Sequence, residues 1–137
     1  MALGSGMAAI TYTIFNVAEG GGHVLAPSNI YGGSLDEFRT LFPKFGIDID
    51  FYDDVNDLDS IKAQITDETK AIYAESVANP STEITDVEGL ATIAHEAGIP
   101  LIIDNTFPTP YLFKPFDFGA DLSIYSSTKG INGHGNV

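Results

Sequence analysis

The chain has 137 residues, 44% of them hydrophobic, with six Lys and Arg against nineteen Asp and Glu and no cysteine. That length makes one domain able to bury a core, and the lack of cysteine excludes disulfides, thiolate metal ligands and thiol nucleophiles. A formal charge of −13 argues against nucleic acid as a partner, because such binding rests on cations that neutralise phosphates.

No run reaches the roughly 18 apolar residues of a membrane span, and no basic start followed by an apolar stretch marks a signal peptide. A cytoplasmic protein is expected. Both ends read as cut: three residues run straight into Gly4-Ser5-Gly6, and Ile131 to Val137 stop in a glycine-rich loop. The expectation is a piece of a longer protein.

Met7 to Val17, rich in Ala, Ile and Met and bounded by Ser5-Gly6 and Gly20-Gly21-Gly22, predicts a helix. Val24-Leu25-Ala26 predicts a short strand ending at Pro27. Ser34 to Glu37 spells the S-x-x-E capping box, with Leu35, Phe38, Leu41 and Phe42 at helical spacing behind it, and Pro43 and Gly46 close that helix. Ile47 to Tyr52 alternates apolar and acidic side chains, as a half-buried strand does. Asp57 to Ile65 follows as a helix, and Ala71 to Ala74 as a buried strand. Thr85 to Glu88 repeats the capping box before Leu90, Ile93, Ala94 and Ala97, with Gly98 as the stop. Ile99 to Ile103 is a fully apolar strand ending at Asp104. Asp121 to Tyr125 is the last strand and leads into Ser126-Ser127-Thr128-Lys129.

Helices alternating with short apolar strands predict an α/β fold, a mostly parallel sheet flanked by helices. Ligands of open sheets sit at the carboxyl ends of the strands. That rule singles out Pro27 to Tyr31, Glu75 to Pro80, Asp104 to Thr106 and Ser126 to Lys129, all along one edge.

Three of these features carry chemistry. Gly4-Ser5-Gly6-Met7-Ala8-Ala9 opens a helix whose unpaired N–H groups can hold phosphate. It is equally a plain helix start. Its spacing also fits a dinucleotide fingerprint, but the strand that must precede one is absent. Asp104 closes an apolar strand, where a carboxylate needs a cationic or hydrogen-bonding partner; an Asx cap on the next turn is the bland alternative. Lys129 follows a strand among small hydroxyl residues. Schiff-base chemistry needs an amine of lowered pKa, which partial burial supplies, and Ser126 and Thr128 could grip a phosphate; an exposed loop lysine is the alternative. Tyr31 could lie on a flat ring or pack on the core, and Asn79 could donate to a ligand or simply make a turn with Pro80. His23, His95 and His134 have no metal-like spacing, and no metal is expected. A phosphate-binding helix start, an acid for a pyridinium nitrogen and a strand-end lysine are together the groups that pyridoxal phosphate (PLP) requires.

Ser5-Gly6-Met7-Ala8-Ala9, Tyr31-Gly32-Gly33, Asn79-Pro80, Asp104-Asn105-Thr106-Phe107 with Thr109-Pro110-Tyr111, and Ser126-Ser127-Thr128-Lys129 with Asn132-Gly133-His134-Gly135 resemble the Cys/Met-metabolism family of fold-type I PLP-dependent enzymes. The resemblance runs in order over essentially the whole chain. It implies part of the large PLP-binding domain, residues 1–137, with Lys129 holding the cofactor aldehyde and Asp104 pairing with the ring nitrogen. It further implies that Tyr31 stacks on the ring and that Gly6 and Met7 give amides to the phosphate. Ser126 and Thr128 add hydroxyls there, and Asn79 lies at the position that contacts the ring hydroxyl. Pro110 to Phe116 and Glu75-Ser76 are worded like O-acetylhomoserine sulfhydrylases, which replace acetate at Cγ with sulfide or a thiol. Methionine γ-lyase and cystathionine γ-synthase share the motifs.

Gly130 departs from the family, which carries a bulky residue after the lysine, and is expected to loosen that loop. Family members are longer. An upstream segment with a Tyr and an Arg that reach a neighbouring subunit's phosphate, and a C-terminal domain with a carboxylate-binding Arg, are absent here. The only arginine is Arg39, so little turnover is expected of this piece of a homotetrameric parent that acts on a small amino acid. The rival expectations are a non-catalytic truncated product and a nucleotide-binding module on Gly4 to Ala9.

Overall fold

The computed structural model describes residues 1–135; Asn136 and Val137, the end of the glycine-rich loop, lie outside the described residues. The strands are β1 (Gly22–Pro27), β2 (Ile47–Tyr52), β3 (Thr69–Glu75), β4 (Leu101–Asp104) and β5 (Leu122–Ile124). They form one sheet in the order β2-β1-β3-β4-β5, and every neighbouring pair is parallel. The helices are α1 (Gly6–Val17), α2 (Gly32–Thr40), α3 (Leu58–Ala63), α4 (Val87–Glu96) and the single turn α5 (Thr109–Leu112). No helix among the described residues is long and apolar enough to cross a membrane.

Alternation along the strands divides the core in two, because successive side chains point to opposite faces. Val24, Ala26, Tyr73 and Ile102 meet Ile10 and Ile14 of α1 and Phe38 of α2. Leu25, Ile72, Leu101 and Ile103 meet Ile61 of α3 and Leu90, Ile93 and Ala94 of α4. A strand covered on both sides must be apolar at every position, which is why β3 and β4 read as continuous hydrophobic runs.

Both expected capping boxes are corrected by the structure. Helix α2 starts at Gly32, so Ser34 lies inside it, fully buried, and Glu37 instead accepts the Thr11 hydroxyl. The helix begins early because the Tyr31 amide is already held by a carboxylate, that of Glu75, at 2.9 Å. At α4 the cap is Asp86, which accepts the Gly89 amide at 2.9 Å. Thr85 is turned inward and donates its hydroxyl to the Glu75 carbonyl at 2.6 Å. Pro43 continues the chain as a 3-10 turn, Phe42–Phe45, and the stop is Gly46 at φ 74°. Strand β4 begins two residues later than the apolar run suggests, at Leu101, and includes Asp104.

Asp86→Ala is expected to cost about 1 kcal/mol and Asp86→Asn close to nothing, since Asn caps as well as Asp. Urea denaturation monitored by circular dichroism checks both.

Candidate active site

All five strands point the same way, so the loops after β1, β3, β4 and β5 share one edge of the sheet. The chain reverses its direction of travel across the sheet between β1 and β3, and a crevice opens at such a switch point. Four of the loops singled out by the sequence therefore line one crevice, on the face covered by α1 and α2. The parity of each strand puts them there: Glu75 follows Tyr73, and Asp104 follows Ile102, by two positions on that face.

Two carboxylates stand side by side at the centre, because Glu75 and Asp104 are register partners across β3 and β4. Burial raises the Asp104 carboxyl above its usual range, opposed by the hydroxyl and amide of Thr106. Asp104 Oδ1 accepts the Thr106 N–H at 2.9 Å. The Asx turn is thus real, and the Thr106 hydroxyl adds to it. Glu75 is 6% exposed. Burial pushes it up to about 7 and the Asp104 charge adds to the rise, while the Tyr31 and Asn79 amides pull the other way.

Sequence reasoning placed Glu75 in a strand-end stretch and in the sulfhydrylase-like wording but gave it no role in the site. The signal was available: an acid closing the apolar run of β3, the same pattern that drew attention to Asp104.

At the other end of the crevice, Ser5 caps α1 by accepting the Ala8 amide at 3.0 Å. The Gly6 and Met7 amides are the first of the helix and have no partner within it. A Cβ on Gly6 would lie 2.7 Å from the Ser126 Cβ, so only glycine lets the helix start approach the loop after β5 so closely. A concave set of amides, a hydroxyl and a helix dipole is a seat for phosphate. The loop itself is closed by Lys129 N–H to Ser126 O at 3.1 Å and Gly133 N–H to Lys129 O at 2.8 Å.

Lys129 is exposed, which corrects the expected partial burial. This chain's described residues do not enclose it, because it sits on the outer turn of its loop. Thr128 is half-buried in the same turn.

Tyr31 caps α2 with 46% of its surface exposed. Its ring lies on Gly33, where a Cβ would come within 2.6 Å of Cε1. Asn79 is exposed and precedes a cis bond to Pro80. Both loops are fastened through Glu75, whose Oε1 takes the Tyr31 amide at 2.9 Å and whose Oε2 takes the Asn79 amide at 3.0 Å.

The loops after β4 and β5 are fastened by Asn105, fully buried, and by Thr106. Asn105 Nδ2 donates to the Phe113 carbonyl at 2.8 Å, and its Oδ1 accepts the Ser76 hydroxyl at 2.7 Å. Thr106 Oγ1 accepts the Ser126 amide at 2.8 Å.

The remaining candidates lie elsewhere. His23 is buried at the opposite edge of the sheet against Thr69 and Asp50. His95 is half-exposed and pairs with Asp121 at 2.9 Å. Arg39 stacks over the Phe51 ring, 5.2 Å from its centroid, away from the crevice.

Gly130 tightens its loop rather than loosening it. Its Cβ would fall 2.6 Å from Thr109 Cγ2, and Thr109 itself holds φ 62°, where a β-branched residue is strained. Gly130→Ala is expected to cost about 1–3 kcal/mol through overpacking, and Thr109→Ser, which removes the offending methyl, should return most of it. A double-mutant cycle in urea measures the coupling.

A pH dependence follows from Glu75. Its folded-state pKa, about 7 against an ordinary 4.5, means that the stability it contributes is full below the ordinary value and lost as pH rises through about 7. The loss is on the order of 3 kcal/mol at most. The difference in unfolding free energy between Glu75→Gln and the parent chain, measured against pH, should change by that amount in that window.

The family model described as Cys/Met metabolism PLP-dependent enzyme matches residues 1–137. The chain is 44% identical to Sulfhydrylase FUB7 of Gibberella moniliformis, over 99% of this chain and 31% of that protein. It is 41% identical to human cystathionine gamma-lyase, over 100% of this chain and 34% of that one. A solved Campylobacter jejuni structure, titled for O-acetylhomoserine (thiol)-lyase and carrying N'-pyridoxyl-lysine-5'-monophosphate, superposes with a TM-score of 0.93 at 39% identity. The match covers 97% of this chain and 33% of that one. The chain spans about a third of the length of these relatives. With a family model that matches its whole length and a fold that superposes so closely, this chain belongs to the Cys/Met metabolism family of PLP-dependent enzymes.

Proposed function

We propose that the crevice binds pyridoxal phosphate and serves a replacement or elimination at Cγ of a homoserine-type amino acid. The observation that carries this is the juxtaposition at one sheet edge of a largely buried carboxylate, Asp104, and the glycine-only approach of the α1 start to Ser126. When bound, PLP supplies an electron-withdrawing ring that takes up negative charge from the substrate's carbon.

The chain's own residues supply the rest. Asp104, whose carboxyl is raised by burial, would pair with a protonated ring nitrogen, since an opposite charge offsets desolvation. Gly6 and Met7 donate their amides, and Ser126 and Thr128 their hydroxyls, to the phosphate. Lys129 would hold the aldehyde group, and its Nζ would be the atom that carries a proton there. Tyr31 covers one face of the ring, excluding water there, and Asn79 donates to the ring hydroxyl.

The finer assignment is to replacement of acetate on O-acetylhomoserine by sulfide or a thiol, the reaction of sulfhydrylases. It rests on Glu75-Ser76 and on Pro110 to Phe116. The near-equal identity to a sulfhydrylase and to a γ-lyase supports elimination at Cγ as the second reading. In either case residues 1–137 are part of the PLP-binding domain of a homo-oligomer. They turn over little by themselves, for Arg39 lies over Phe51 and no guanidinium is left to fork a substrate carboxylate.

Adding PLP to the purified chain should produce a visible absorption band, and borohydride reduction should fix the label on Lys129. A colourless protein, or label scattered over Lys44, Lys62 and Lys70, defeats the proposal. Lys129→Ala should abolish the band. Asp104→Asn forfeits a charge-assisted bond worth about 1.5–3 kcal/mol, so PLP affinity should fall roughly 10- to 100-fold.

A further inference from the structure

Glu75 touches neither the phosphate seat nor the lysine loop, yet its carboxylate joins the two loops flanking the switch point through their backbone amides, where Asn29 adds side-chain bonds to Ser81 and Glu83. Its oxygens accept backbone amides from residues 31 and 79, at 2.9 and 3.0 Å. Each amide has a single N–H and so offers the carboxylate a donor only. Both oxygens therefore act as acceptors, and the ionised form accepts most strongly at both.

We propose that Glu75 is a positioning residue, a clamp whose ionised carboxylate holds Tyr31 and Asn79 in register beside Asp104 and which loosens its hold on one loop when it takes up a proton. Protonation turns one oxygen into a hydroxyl, a poorer acceptor whose own O–H must be placed among donors, so the bond at that oxygen weakens. The inference rests on the PLP reading for what lies between the loops, and on this chain's geometry for the clamp.

The surroundings make the clamp responsive near neutrality. Burial, with Asp104 on β4 adding, brings the Glu75 midpoint to about 7. Tyr73, two positions earlier on β3, is kept neutral by its own burial, which pushes its phenol well up. From α2, Glu37 acts on that same Tyr73. Strand β1 ends at Pro27, the Ser28 hydroxyl beyond it is committed to Asp53, and Lys129 follows β5, two strands away. The Thr85 hydroxyl is committed to the Glu75 carbonyl, so it does not compete for the carboxylate.

The length of the side chain is part of the device. Aspartate is shorter by one C–C bond, about 1.5 Å, and cannot span both amides. Glutamine has the length, but its NH2 faces one of the two donors.

The test uses the isotope-labelled 137-residue chain without cofactor. The amide proton resonances of Tyr31 and Asn79 should titrate together with one midpoint near 7, while that of Leu35, bonded to the Tyr31 carbonyl, stays put. In Glu75→Gln the pH dependence should vanish at both, and at least one amide should lose about tenfold in hydrogen-exchange protection. Glu75→Asp should lose protection at one amide and keep it at the other. Resonances that do not move in the parent chain, or full protection at both amides in Glu75→Gln, overturn the clamp.

Should Glu75→Gln fail to fold, seen as lost protection at Ile72 in the middle of the sheet, the parent titration decides alone. Amides that behave as expected while borohydride labels no Lys129 leave the clamp standing and defeat the PLP reading. Label on Lys129 with unmoved amides does the reverse.

Discussion

The parallel register of β3 against β4 sets Glu75 opposite Asp104, and the rest of the crevice is arranged around that pair. Parallel strands end together, so a register that matches Ile72 with Leu101 necessarily matches the acids that close each strand. Two carboxylates in neighbouring positions, both largely out of water, repel each other and are costly to keep ionised. The fold meets that cost with donors. Asp104 receives the Thr106 amide, and Glu75 receives two amides from loops that are far apart in sequence. These same bonds hold the surrounding loops in place.

The charge balance of the site has a consequence. In a chain of net charge −13, two of the acids stand in the crevice, and the single Lys or Arg in the four strand-end stretches is Lys129. Nothing on these loops forks a carboxylate. The positive potential that an anionic ligand meets comes from backbone amides and the dipole at the start of α1, and any guanidinium that holds a substrate must arrive from outside residues 1–135. A positively charged ring nitrogen, in contrast, is what this pair of acids favours.

The far side of the site is built by packing rather than by charge. Asn105 ties the turn after β4 to α5 and to Ser76, and Thr106 passes the constraint to Ser126. Gly130 and Thr109 then interlock at a distance that leaves no room for a side chain on residue 130. The loop that bears Lys129 is therefore positioned at its base and at its far shoulder, while the lysine itself stays open to solvent. Glycine in this place gives close contact, where its freedom of backbone had suggested slack.

The sequence by itself determined the alternation of helix and strand, the two-faced burial of β3 and β4, and the edge at which chemistry gathers. Each of these follows from short-range periodicity and from residues such as Pro27, Asp104 and Gly98 that end an element wherever they stand. It also carried the family resemblance, through Asp104 and the Ser126 to Lys129 block. What it did not determine were the capping residues and the partners of buried acids. Ser34 and Thr85 fit a capping pattern, yet a cap depends on where the preceding backbone turns. That was decided by Glu75 holding Tyr31 and Thr85 from another part of the chain. Only the tertiary structure sets which strands are neighbours, and only neighbours decide whether an acid at a strand end meets water, an amide or a second acid.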